Sequence, residues 1–126
     1  MRRVISALVE DRPGVLNRVA SMFRRRGFNI YSLSVGHSEE PHFSRMTIVV
    51  DNVPTTSLDQ VTKQLYNVVD VVKAADVTQA DIVAKETALV KVRAPAAARG
   101  EIMQIANLLK AEIVDVSADS MIIEST

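Results

Sequence analysis

The chain has 126 residues, 48% of them apolar and 24% charged, which suits one compact domain or two small ones and excludes a disordered chain. Fifteen Lys and Arg against fifteen Asp and Glu leave a formal net charge of zero, so no basic field draws the chain to nucleic acid or to an anionic membrane. The sequence has no Cys, which removes disulfides, thiolate zinc sites and a cysteine nucleophile, and a reducing cytoplasm fits.

Met1-Arg2-Arg3 is basic like the start of a signal peptide, but the apolar run Val4 to Val9 is too short and stops at Glu10-Asp11-Arg12-Pro13. No later run reaches a transmembrane length. Residues 3 to 10 instead alternate loosely and are rich in Val, Ile and Leu, which predicts a first strand buried mainly on one face. Asp11-Arg12-Pro13-Gly14 breaks it. A helix follows, with Val15, Leu16, Val19, Ala20 and Phe23 on one face and Asn17, Arg18, Ser21, Arg24 and Arg25 largely on the other. Arg24-Arg25-Arg26 suits the negative end of the helix dipole, and Gly27 is placed as the residue just past the end.

Residues 28 to 37 return to a period of two, and after a polar loop with Pro41 residues 43 to 51 alternate again, so this pair reads as a hairpin. Beyond Asn52-Val53-Pro54, Ser57-Leu58-Asp59-Gln60 has the form of a capping box. Leu58, Val61, Leu65 and Val68 continue at helical spacing, predicting a second helix over 57 to 68. Asp70 to Val77 is a fourth strand. The order strand-helix-strand-strand-helix-strand is that of a ferredoxin-like α+β domain over residues 1 to 77.

The pattern then restarts in a second unit, residues 80 to 126. It has a strand at 84 to 94, a helix at 98 to 110 and short strands at 112 to 116 and 121 to 124. A full copy would need a further helix and strand, on the order of 25 to 35 residues. The second α/β unit is therefore partial, of similar order to the first and apparently truncated.

Glu10 to Leu16 runs a strand end directly into a helix start, where free N–H groups and a positive dipole end favour a small anion. With Asp11 beside them, these groups suit the two ends of a free amino acid: its carboxylate near Gly14, its ammonium on Asp11. A plain helix cap and turn would use the same residues. Asn29 in Gly27-Phe28-Asn29-Ile30 offers an amide donor and acceptor at a strand start, and is also what a turn Asn looks like.

Asp11-x-Pro13-Gly14-Val15-Leu16 followed by an amphipathic helix and Gly27-Phe28-Asn29-Ile30 resembles the ACT domain, an amino-acid-sensing βαββαβ module. Arg2 to Ile5, Asn29 to His37, Ser44 to Ile48, Lys63-Gln64-Leu65 and Val69-Asp70-Val71 are more specifically similar to the small regulatory subunit of acetolactate synthase. Glu86 to Val92 and Ile113 to Ser117 extend that similarity into the second unit.

The resemblance implies a non-catalytic subunit without a cofactor of its own. Such a subunit binds the thiamine-diphosphate-dependent catalytic large subunit, raises its activity and confers feedback inhibition by a branched-chain amino acid, usually valine. It also implies a homodimer with effector held between the first loop of one chain and the strand segment of the other. The matching effector-binding positions are Asp11, Gly14, Val15, Leu16, Asn29 and Ile30. Two departures stand out: many relatives carry Asn where this chain has Asp11, whose carboxylate repels a ligand carboxylate, and family members usually continue past residue 126. Gly14→Asp is expected to weaken binding without unfolding the domain.

Competing readings are thinner. His37 and His42 bracket Glu39 and Glu40 without regular metal-ligand spacing. An RNA-binding domain of the same strand order needs stacking aromatics that the segment from Phe43 to Val50 lacks after its first residue. No Ser-His-Asp set or Gly-rich phosphate loop can be assembled for catalysis. A free-standing amino-acid sensor for another protein and a small metabolic enzyme on this fold are the alternatives that biochemistry must separate.

Overall fold

The structure, a computed structural model, describes residues 2–51, 53, 54 and 57–126. Strand β1 (Arg3–Glu10) carries Ile5, Ala7 and Val9 on one face, all essentially fully buried, as a period of two requires. Helix α1 (Val15–Arg25) lays Val15, Val19, Met22 and Phe23 into the same core. It ends as expected at Gly27, whose φ of 73° only glycine adopts freely. The Gly27 N–H donates to Arg24 O and the Phe28 N–H to Phe23 O, the two bonds of a Schellman close.

Strands β2 (Asn29–His37) and β3 (Phe43–Asp51) form the expected hairpin. Its register steps at Tyr31: Ile30 faces Val50, but Ser32 faces Val49 and Leu33 faces Ile48. Since paired residues point to the same side of a sheet, the bulge turns Leu33 and Val35 to the helix-bearing face, where they remain 39% and 45% exposed. Helix α2 (Leu58–Tyr66) buries Val61 and Leu65. The Ser57 capping box does not form: Ser57 has φ −110° and ψ 8° and makes no side-chain cap bond, because this backbone is not the extended one from which a cap side chain reaches the first turn. The expected turn at Asn52 and the side chain of Leu58 lie outside the described residues.

Strand β4 (Val71–Asp76) completes an antiparallel sheet of order β2-β3-β1-β4, a ferredoxin-like α+β layer pair. The two outer strands differ. Ala74 of β4 has both main-chain polar groups met by the Tyr66 hydroxyl, which accepts from Ala74 N and donates to Ala74 O, each at 3.1 Å.

The chain divides into two units, Met1–Ile82 and Val83–Thr126. The second contains β5 (Ala88–Arg93), α3 (Arg99–Leu108), β6 (Glu112–Val116) and β7 (Ser120–Ser125) in a sheet of order β5-β7-β6. This is the arrangement that β1, α1, β2 and β3 make in the first unit. Strand β5 starts later than residue 84, since Ala88 already faces Ser125 and residues before it lie beyond the paired stretch. Few side chains are buried here, chiefly Ala94, Ala106 and Met121. A groove of about 320 Å³ lies open between helix and sheet, lined by Val90, Val92, Ile102, Ile105, Leu109 and Ile123.

Candidate functional site

The first loop of the first unit turns on Gly14, the N-cap of α1, which has φ 87° and ψ −10°. No side chain caps this helix start; the Val15 N–H donates to Arg12 O at 3.4 Å, and the positive dipole end has no capping side chain of its own. Asp11, the side chain that a simple cap would use, turns elsewhere: its Oδ2 lies 3.1 Å from His37 Nδ1 at the end of β2. The Asp11 N–H donates to His42 O at 2.9 Å, which fixes the loop against the β2–β3 turn.

Beneath the loop is a cluster that periodicity alone does not reveal. Asp70, fully buried, takes Arg12 Nη2 on Oδ1 and Arg18 Nε on Oδ2, each at 2.5 Å. Glu10 also pairs with Arg12, and the Glu10 N–H donates to Asp70 O at 2.9 Å. Helical spacing puts Arg18 on the solvated face of its helix; it folds back instead because a buried carboxylate without partners would be costly. The signal in the sequence is a lone acid inside the apolar run Val68-Val69-Asp70-Val71-Val72.

These contacts shift proton affinity. The hydrogen bond from Arg18 holds the Asp70 carboxyl below its ordinary 3.8, outweighing the burial that would raise it, and Arg12 adds to the effect. At the far end of β4, burial would raise Asp76, but bonds from the Thr78 hydroxyl and N–H and from Arg3 hold it low.

The expected site residues separate into two groups. Asp11, Gly14 and Leu16 stand exposed at one end of the sheet, while the Val15 side chain belongs to the core at 3% exposure. Asn29 and Ile30 begin β2 beside Asp51 and Val50, at the opposite end from His37 and Asp11. Eight strand steps of about 3.3 Å put roughly 26 Å between those ends. One chain therefore does not bring Asp11 and Asn29 together.

Gly14→Asp also changes meaning. A Cβ at Gly14 would stand 2.9 Å from Arg18 Nη1 on a left-handed backbone, so the substitution perturbs the Arg18–Asp70 contact as well as any ligand. Among the described residues no group of three or more His, Cys, Asp or Glu is placed to hold a metal ion, and no helix is long and apolar enough to cross a membrane.

Comparison with known proteins follows the same division. Residues 5–73 match the family of AHAS small subunit-like ACT domains, and residues 85–126 match the small subunit of acetolactate synthase. The chain is 52% identical over 122 residues to the acetolactate synthase small subunit of Mycolicibacterium smegmatis, covering 97% of this chain and 71% of that one. It is 49% identical over 126 residues to the probable acetolactate synthase small subunit of Archaeoglobus fulgidus, covering 100% and 78%. The crystal structure of the acetolactate synthase small subunit from Thermotoga maritima superposes with a TM-score of 0.90 at 39% identity, covering 99% of this chain and 78% of that one. Family, sequence and fold agree along the whole length: the chain belongs to the acetolactate synthase small-subunit family.

Proposed function

We propose that this chain is the regulatory, non-catalytic subunit of an acetolactate synthase, working in the cytoplasm. It binds a branched-chain amino acid, valine first among them, and thereby activates or feedback-inhibits the catalytic large subunit. Thiamine diphosphate belongs to that partner, and this chain holds no cofactor.

The observation that carries the reading is the separation of Asp11 from Asn29 along β2, an outer strand of its sheet. A two-fold axis beside that strand pairs two copies of β2 antiparallel and sets the Asp11 end of one against the Asn29 end of the other. The homodimer thus assembles what one chain keeps apart. The half-exposed side chains of Leu16, Leu33 and Val35 would be covered in the same contact, which is the usual meaning of apolar surface beside an open strand. In the resulting cleft, the helix start near Gly14, Val15 and Leu16 receives the effector carboxylate, Asp11 its ammonium, and Asn29 and Ile30 close the site from the other copy.

Regulation then follows from linkage: effector favours one arrangement of the complex, with a coupling of roughly 1–3 kcal/mol. Calorimetry with valine, leucine and isoleucine tests it, alongside reconstitution with the catalytic subunit. Heat with at least one of them and inhibition of the reconstituted enzyme are expected. A folded dimer that gives no heat with any of the three removes the effector, and a chain that stays monomeric at every concentration removes the shared site.

A further inference from the structure

We propose that Asp70 is a positioning residue of the effector site, acting through Arg18 and Arg12 without touching the ligand. This rests on the effector reading above and adds to it the part of the molecule that holds the site in shape. Asp70 is fully buried, so no ligand reaches it. Its two oxygens instead bridge the two sides of the turn around Gly14: Arg12 comes from the loop before that glycine, Arg18 from the helix after it. Its carbonyl accepts from the Glu10 N–H at the end of β1. Strand end, loop and helix start are thereby fixed to one residue.

The same contact decides where a cation stands. With Nε committed to Asp70, the planar guanidinium of Arg18 places Nη1 over Gly14, 2.9 Å from where a Cβ would be, and the side chain is still 45% exposed. A positive charge is thus kept beside the uncapped start of α1, where the helix dipole also favours a carboxylate. It offsets the repulsion that Asp11 brings to the same ligand. If Asp70 loses its charge, Arg18 is free to extend into water and the loop loses its tie, so the site should lose affinity while the sheet and core remain.

The test is a double-mutant cycle on the full chain: Asp70→Asn, Arg18→Gln and both together. Valine affinity is read by calorimetry at a temperature where each variant is fully folded by circular dichroism. Each single change should weaken binding roughly tenfold or more, the scale of one charge-assisted contact, and the double variant should bind no more weakly than the worse single. Arg18→Lys, which keeps the charge but not the fork, should recover part of the loss. Arg18→Gln lies on an exposed helix surface and reports on the same contact should Asp70→Asn fail to fold.

Singles that bind within twofold of the natural chain, or losses that multiply in the double, overturn the assignment, since a merely structural Asp70 would lower the melting temperature and spare affinity. A natural chain that binds none of the three branched-chain amino acids instead fails the effector reading, and this assignment falls with it.

Discussion

Arg18 lies across Gly14, with its Nη1 2.9 Å from the position a Cβ on that glycine would occupy. The glycine is required twice over: by its φ of 87°, which L side chains adopt at a cost, and by the guanidinium that fills the space beside it.

Gly14→Ala should therefore destabilise the first unit. A left-handed alanine costs about 1–2 kcal/mol; the methyl group must also push aside the far end of Arg18, beside the Nε that holds Asp70. Urea unfolding of the full chain, compared with Asn17→Ala on the open face of α1, should show a lower midpoint at unchanged slope. Equal midpoints for the two variants would contradict the geometry.

Acid should weaken the fold in a defined window. The carboxyl of Asp70 is depressed when folded, so the unfolded chain binds the proton more readily. Its contribution is fully present above the ordinary value of 3.8 and is lost as the pH falls below that value toward the folded one. Asp76 is lowered too and adds to the same loss. Asp70→Asn should be less stable than the natural chain at neutral pH, with the gap closing as pH drops below 3.8. Thermal melts across that range measure it, and a gap independent of pH would show that the carboxylate charge is not what stabilises.

Leu33→Lys addresses the outer strand. If two copies meet along β2, each covers the 39% of Leu33 still exposed, worth roughly 0.6–1.2 kcal/mol and counted twice by symmetry, so the dissociation constant should rise about tenfold or more. Analytical ultracentrifugation should move the variant from dimer to monomer with its circular dichroism unchanged, and valine affinity should fall with it. A variant that remains dimeric would place the contact elsewhere.

Local chemistry makes much of the fold legible. Gly27 can be assigned because a helix close involves only neighbours, and the strand order follows from periods that each segment carries within itself. What escapes needs distance. Arg18 and Asp70 are 52 positions apart, and helical spacing assigns the one to solvent while strand patterning assigns the other to a backbone. The bulge at Tyr31 is invisible for the same reason, since a register step exists only relative to the partner strand. It reverses which face Leu33 and Val35 occupy. Ser57 fails in the opposite way: its motif is correct, but the backbone leading into α2 does not present it. The site residues are named by their resemblance to a family, and their separation along β2 emerges only from the pairing of β2 with β3.

Tyr66 gives the sheet a sense of direction. Strands that pair at both borders can recruit neighbours without limit, and filaments grow from such repetition. Here the phenol occupies Ala74 like a stopper at one point of the β4 border, which disfavours a further strand on that side. Two copies that met along β2 would close that border of the first sheet, and the phenol would hinder growth at the other.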